Sequence, residues 1–321
     1  MKHDFTGKII CIPGGTGSWG QEFVKQTLVL NPKEIRIFSR NEFKQVTMRR
    51  KFNDSRLKFI IGDVRDLDAV KEAFKDVNLV LHLAAIKHID ICEIYPLETV
   101  KTNILGVENV IKASIENKVQ KVINVSSDKA CYPINIYGQS KAIGEKLIVN
   151  ANNLSSTQFV CVRGGNVLGS NGSVVPLFIK QIKEDGCVKI TDKRMTRFFL
   201  SLPEAISLLL VASGTQIAGG IFVMKMPACR IEDLAKVLIE ENWDLEQVPI
   251  QEIGMRPGEK IHEVLINEYE APQTYEYGDD YYVISPTETG LPKLGCKEYS
   301  SNDELLDNEG IKELLKKGNF I

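Results

Sequence analysis

The sequence predicts an α/β fold built on a doubly wound parallel sheet, with a smaller lobe in its C-terminal third. Three observations carry this. A glycine-rich turn, Gly14-x-x-Gly17-x-x-Gly20, joins a short apolar run to a helical one. Strand-like apolar runs then alternate with helical patterns from Lys8 to Arg163. Past Arg163 the alternation loosens into the loop-rich stretch GGNVLGSNGSVVPLF.

Lys8 to Pro13 reads as an apolar strand and Ser18 to Leu28 as a helix. The glycines between them permit a tight turn and let backbone N–H groups approach a pyrophosphate at the helix N-terminus. Gly14, Thr16, Gly17, Ser18, Trp19 and Gly20 are therefore candidate dinucleotide contacts. A lone glycine motif is weak; the strand before it and the helix after it give it weight. The next strand, Ile35 to Ser39, ends at Ser39-Arg40. At such a tip a carboxylate binds the 2′-hydroxyl of NAD, whereas an arginine accommodates the 2′-phosphate of NADP. Here stand Arg40 and, one turn on, Lys44, with Glu42 as the nearby acid, so NADP is favoured over NAD. The third strand, Leu57 to Ile61, runs into Gly62-Asp63-Val64, which places Asp63 and Val64 at the adenine; Asp66 is the better N-cap for the next helix. The fourth strand ends in Ala84 and Ala85, small enough for a cofactor to lie close. The fifth, Lys121 to Val125, delivers Ser126, Ser127 and Asp128 to the same edge. Open α/β sheets bind ligands at this carboxyl edge. The expectation is a Rossmann-type NADP-binding domain over residues 1–165 and a substrate-binding lobe over 166–321, with segments returning to the sheet.

The lobe is expected to hold helices near Val175 to Lys183, Pro203 to Ala212 and Ile231 to Glu240, and a strand from Gly220 to Met224. The tail from Glu268 to Asp303 reads as extended packing or a contact in a homo-oligomer.

Composition fits an ordinary globule: 321 residues, 43% hydrophobic and 26% charged. With net charge −2 and no basic block, neither nucleic acid nor an anionic membrane is an expected partner. No apolar run approaches the ~20 residues that span a bilayer, and MKHDFTGK is no secretory signal. The seven cysteines are scattered without a CxxC, which fits a reducing cytoplasm. The four histidines show no metal spacing, and His82 reads as a packed core residue.

The chemistry concentrates in SSDKACYPINIYGQSK, Ser126 to Lys141. Tyr137 and Lys141 are four apart, on one face of a helix. An ammonium beside a phenol favours phenolate, so the expectation is a tyrosine with a lowered pKa that moves a proton off a hydroxyl during hydride transfer. Asp128-Lys129, nine residues earlier, is a second acid–base pair and points to chemistry beyond simple oxidation. In the lobe, Arg194-Met195-Thr196-Arg197 and Arg256-Pro257-Gly258-Glu259-Lys260 present forked donors suited to a substrate diphosphate; both also read as solvated surface.

The chain resembles the extended short-chain dehydrogenase/reductase family. Within it, the chain is similar to the inverting UDP-N-acetylglucosamine 4,6-dehydratases that open pseudaminic acid and related bacterial polysaccharide pathways. GGTGSWG, FSRNEFKQ, GDVRD, HLAAIKHIDICE, SSDK…YGQSK, GNVLGSNGSV, TDKRMTRFF and GMRPGEKIHE carry the resemblance, in order across Lys8 to Glu263. It implies a cytoplasmic, homo-oligomeric lyase acting on a UDP-sugar with tightly held NADP. Tyr137 would take the 4-hydroxyl proton, assisted by Lys141. Lys129, a neutral amine through burial beside Lys141 and the oxidised nicotinamide, would take the C5 proton, and Asp128 would protonate the departing 6-hydroxyl. Arg194, Thr196, Arg197 and Arg256 would hold the diphosphate, with Asn166 and Glu259 nearby. Lys87 and Asn103 would shape the sugar pocket, Lys87 beside the cofactor too. The chain departs from the pattern at Pro13, Ser127, Cys131-Tyr132, Gly164 and Asn171, the last three bearing on the sugar pocket. Three rivals stand beside this reading: a C5-retaining dehydratase, an epimerase or reductase with Asp128-Lys129 as spectators, and a non-catalytic NADP-binding sensor.

Overall fold

The computed structural model describes residues 4–169, 172–243 and 248–321. Its centre is a nine-stranded sheet of β1 (Ile9–Pro13), β2 (Glu34–Ser39), β3 (Leu57–Ile61), β4 (Leu79–His82), β5 (Lys121–Ser127), β6 (Gln158–Gly164), β7 (Ile221–Met224), β8 (Thr274–Tyr277) and β9 (Tyr281–Ile284). The strand order is β8-β9-β7-β6-β5-β4-β1-β2-β3. From β3 to β7 neighbouring strands pair in parallel; β9 pairs antiparallel with both β7 and β8. The central runs IICIP, LVLH, KVINVSS and QFVCVRG are buried almost throughout, as parallel strands covered on both faces must be.

The chain travels outward from β1 to β3 and then crosses back to β4. That reversal opens a crevice between the carboxyl ends of β1 and β4. On one face the helix Ser18–Thr27 packs against Leu202–Gly214; elsewhere Leu67–Ala73 packs against Gly106–Glu116, which meets Ile136–Ala151. Asp66 caps Leu67–Ala73 by accepting from the N–H groups of Asp68 and Ala69, as the sequence indicates.

Beyond Gly164 lie a three-stranded sheet (Asn166–Val167, Thr196–Leu200, Ala228–Arg230) and the helices Val174–Asp185 and Ile231–Asn242. They close on a second core of Phe178, Met195, Phe199, Leu234 and Ile311 among others. The tail does more than pack: β8 and β9 extend the main sheet at its edge, and Val264–Ile266 pairs with Tyr299–Ser300.

Arg163 at the end of β6 locks these parts together. It is 2% exposed. Its guanidinium donates to both Glu145 oxygens at 2.8 and 2.6 Å, to both Glu270 oxygens at 2.8 and 2.7 Å, and to the Leu265 carbonyl at 2.8 Å. Glu145 belongs to Ile136–Ala151, and Glu270 starts the tail that leads to β8. Removing one partner of a buried ion pair leaves an uncompensated charge. Glu145→Ala should therefore destabilise the protein by about 3 kcal/mol, read by urea unfolding. A loss under about 1 kcal/mol, the range of exposed pairs, would show that Glu270 alone satisfies Arg163.

Candidate active site

A cavity of about 820 Å³ runs along the carboxyl edge of the sheet. Its floor is the glycine turn, and the three glycines serve different ends. Gly14 has φ +82°, and a Cβ there would lie 2.6 Å from the Ala84 nitrogen, so the β1 turn and the β4 end touch backbone to backbone. A Cβ on Gly20 would lie 2.2 Å from the Gly15 carbonyl oxygen, so the helix packs onto its own turn. A Cβ on Gly17 would meet only the Gly14 oxygen, at 3.5 Å. Gly17 faces the cavity at the N-cap of Ser18–Thr27, with no side chain capping that terminus. An absent side chain above open helix N–H groups is the shape a pyrophosphate requires, so these residues fit a dinucleotide.

Thr16, Ser18, Trp19, Ser39, Arg40, Lys44, Asp63, Val64, Ala84, Ala85 and Lys87 also line the cavity. Asp63 accepts from Arg65 at 2.6 and 2.8 Å, with Arg40 Nη1 at 3.6 Å. Burial raises the Asp63 carboxyl, but the Arg65 bonds outweigh it and hold it below the ordinary range.

Opposite the glycine turn stand Asp128, Lys129, Tyr137 and Lys141, all on the cavity wall. Asp128 is 1% exposed and begins a 3-10 turn directly after β5. Ser127 Oγ donates to its Oδ1 at 2.7 Å, and Lys129 Nζ donates to both oxygens at 3.1 and 3.2 Å. The turn is clamped to the next helix. Asn135 caps that helix through the Gly138 N–H at 2.7 Å and donates to the Gly258 carbonyl at 2.8 Å. Gly138 lies so close that a Cβ there would sit 2.2 Å from the Lys129 carbonyl oxygen. Lys141 Nζ donates to the Val125 carbonyl at 2.5 Å.

The electrostatics correct two expectations. Burial pushes Lys129 down, but the Asp128 and Glu263 carboxylates outweigh it, so the amine stands above the ordinary ammonium range and is not neutral. Burial raises the Tyr137 phenol, against the Lys129 ammonium and a hydrogen bond with Ser127, so its pKa is raised, not lowered. The cation acting on the phenol is Lys129, opposed by the Asp128 carboxylate. Lys141 itself is pushed down to about 8 by burial. Burial raises the Asp128 carboxyl, but Lys129 and Ser127 outweigh it and hold it low. His82 is a neutral core residue, pushed down to about 3 by burial and then by Lys141.

In the lobe, Asn166, Arg197, Arg256 and Glu259 reach the cavity. Arg197 is braced by the carbonyls of Thr196, Lys260 and Ile261, and Glu259 turns back to accept from the Arg256 N–H at 3.0 Å. Three expected contacts do not line it. The Arg194 side chain is 73% exposed and forks onto Asp192 at 2.7 and 3.0 Å. Thr196 is buried against His262 and Ser301. Asn103 is buried, where its amide brackets the Ile86 N–H and C=O at 2.9 Å and donates to Ser140 Oγ. It shapes the wall from behind.

Lys189, Thr191 and Met195 stand on the lobe side of the cavity and were not expected there. No spacing in the sequence singles them out. Glu263 was also passed over, although it ends the GMRPGEKIHE motif. Of the departures, Gly164 lines the cavity, where a Cβ would lie 3.4 Å from the Trp19 indole, so that ring stands where a side chain at 164 would begin. Cys131 and Tyr132 point elsewhere, toward Glu270 and Glu268, and Asn171 lies outside the described residues. Among the described residues no group of His, Cys, Asp and Glu could hold a metal ion, and no helix is long and apolar enough to cross a membrane.

Residues 10–286 match the family described as polysaccharide biosynthesis protein. The UDP-N-acetylglucosamine 4,6-dehydratase (inverting) of Campylobacter jejuni serotype O:2 is 44% identical over 88% of this chain and 84% of its own. The UDP-glucose 4-epimerase of Rickettsia rickettsii is 47% identical over 97% of this chain and 96% of its own. The X-ray structure of Pen from Bacillus thuringiensis superposes with a TM-score of 0.93 at 39% identity, over 99% of both chains. DesIV, a dTDP-glucose 4,6-dehydratase from Streptomyces venezuelae solved with NAD and TYD bound, shares the fold at TM-score 0.71 and 20% identity, over 79% of this chain and 86% of its own.

The glycine geometry separates two substitutions. Gly17→Ala should leave stability within about 1 kcal/mol, an N-cap change, yet weaken nicotinamide dinucleotide binding at least about tenfold, because the methyl group occupies the pyrophosphate's place. Gly20→Ala should lower thermal stability, because its methyl group meets backbone. Calorimetric titration with thermal unfolding reads both; equal effects would remove the distinction.

Proposed function

The chain belongs to the polysaccharide biosynthesis protein family, within the extended short-chain dehydrogenase/reductases, and on that premise we propose that it is a UDP-N-acetylglucosamine 4,6-dehydratase that inverts C5. The product is UDP-2-acetamido-2,6-dideoxy-L-arabino-4-hexulose. The observation that carries this reading is the buried Asp128–Lys129 pair on the same cavity wall as Tyr137. Hydride transfer at C4 needs one group to move one proton, and Tyr137 suffices. A second acid–base pair supplies what dehydration adds.

Held over Gly14, Gly17 and Gly20, a nicotinamide dinucleotide would supply a reversible hydride acceptor, so that hydride lost from C4 would return at C6 with no net redox change. The Lys129 ammonium favours the Tyr137 phenolate that takes the 4-hydroxyl proton. The resulting 4-ketone acidifies C5–H. Lys129 passes its proton to Asp128, which makes an amine base and a carboxylic acid at once. The amine takes the C5 proton, and the acid gives its proton to the 6-hydroxyl oxygen as the C6–O bond breaks and water leaves. Water gives the proton that returns to C5 from the opposite face, which gives the L-arabino ring. The Tyr137 phenol gives the former 4-hydroxyl proton back to the hydroxide so formed, which closes the cycle. Arg197 and Arg256, with Asn166 and Glu259, hold the nucleotide diphosphate and sugar. Arg40 selects NADP, with Lys44 beside it.

A second reading has support in the relatives named UDP-glucose 4-epimerase. Epimerisation at C4 uses Tyr137 and Lys141 and leaves Asp128–Lys129 idle. Mass separates the two. Purified protein incubated with UDP-N-acetylglucosamine and no added cofactor should yield a product lighter by one water. An isomer of unchanged mass would establish the epimerase, and stoichiometric NADPH a simple dehydrogenase.

Cofactor choice is tested at Arg40. A hydrogen bond to a charged group contributes about 1.5–3 kcal/mol. Arg40→Ala should weaken NADP by tenfold or more and NAD far less, in fluorescence titrations. Equal losses would return Arg40 to its contact with Asp63.

A further inference from the structure

The proposed chemistry leaves one buried group without a task. Glu263 is 2% exposed and comes from the lobe, beside the strand Val264–Ile266. Its backbone is fixed: the N–H donates to Ser301 Oγ at 2.9 Å, and the carbonyl accepts from the Ser301 N–H at 2.8 Å. Its carboxylate is aimed at the catalytic turn. Oε1 lies 3.5 Å from Lys129 Nζ and 3.7 Å from Arg197 Nε; Oε2 lies 3.7 Å from Lys260 Nζ and has no hydrogen-bond partner. The two flanking cations have other anchors. Lys260 Nζ donates to the Cys131 carbonyl at 2.6 Å, and Arg197 holds three carbonyls. A buried carboxylate with an unsatisfied oxygen is costly. Here it places a second negative charge against Lys129, beside that of Asp128.

We propose that Glu263 is a positioning residue for proton transfer: it holds the Lys129 side chain as an ammonium at the cavity wall and sets how readily that lysine gives its proton to Asp128. This deepens the dehydratase reading and rests on it. The groups facing Lys129 are Asp128 in its own turn, Tyr137 from the next helix, and Glu263 and Arg197 from the lobe. The two carboxylates favour the charged amine; Arg197 opposes them. Transfer breaks one Lys129 N–H bond and forms one Asp128 O–H bond, with no change in total charge. The Glu263 carboxylate resists the transfer, since the attraction between its charge and the ammonium is lost. The lobe thereby keeps Lys129 protonated while Tyr137 needs a cation nearby.

The test is Glu263→Gln, which keeps shape and removes charge, with Glu263→Asp as a charge-retaining partner. The titration of Lys129 is followed by NMR of 13C-lysine protein, its signal assigned as the one missing from Lys129→Arg. An opposite charge at this range shifts a pKa by about one unit or more. In Glu263→Gln the Lys129 titration should fall by about one unit. Glu263→Asp should shift it in the same sense but less. An unmoved titration in Glu263→Gln, with lowered thermal stability alone, would make Glu263 a structural residue and overturn the proposal. If the unsubstituted protein removes no water from UDP-N-acetylglucosamine, the dehydratase reading fails while the NMR titration still decides the coupling.

Discussion

The site depends on keeping a carboxylate and an ammonium together inside the protein, at the end of a parallel strand. Desolvating both charges is expensive, and their attraction offsets it only with good geometry and further hydrogen bonds. The chain supplies these locally: Ser127 donates to Asp128, and Lys129 donates to both of its oxygens. It supplies the geometry from outside. A glycine at 138 lets the catalytic helix press against the Lys129 carbonyl, and Asn135 ties that helix to the Gly258 loop of the lobe. One turn beyond Lys141, Glu145 joins the same helix to Arg163 and the tail. The pair is therefore held by sheet, helix and lobe together.

Much of this arrangement was legible in the sequence. The apolar runs give β1, β2, β3 and β7 to within a residue, whereas β4 stops at His82, short of the expected Ala85, and β5 runs on to Ser127. The glycine spacing and the Asp128, Lys129, Tyr137, Lys141 spacing are local facts of the chain, and local geometry follows from them. The switch between β1 and β4 then brings both motifs to one edge.

Interactions that cross between distant segments were not legible. Lys129 reads as a neutral amine when only burial and Lys141 are weighed. The adjacent Asp128 carboxylate does most to reverse this, and Glu263, whose approach depends on how the lobe closes, adds to it. Arg194 and Arg197 look equivalent in the sequence, yet Asp192 folds Arg194 outward while neighbouring carbonyls hold Arg197 inward. The tail carries a polar, proline-rich composition that hides two antiparallel strands at one end of the sheet, because such strands need only one apolar face.

The central claim is that one proton shared by Asp128 and Lys129 provides both the acid and the base of dehydration. Asp128→Asn, incubated with UDP-N-acetylglucosamine in D2O and followed by NMR, tests it most directly. The amide leaves Lys129 in place but cannot protonate the leaving hydroxyl. With no carboxylate at position 128 to take its proton, Lys129 stays an ammonium. The expected result is therefore no deuterium at C5 of the sugar and water loss slowed at least about a hundredfold, the scale of a general acid's contribution. Water loss at the unsubstituted rate would contradict the assignment of Asp128 and, with it, the shared proton.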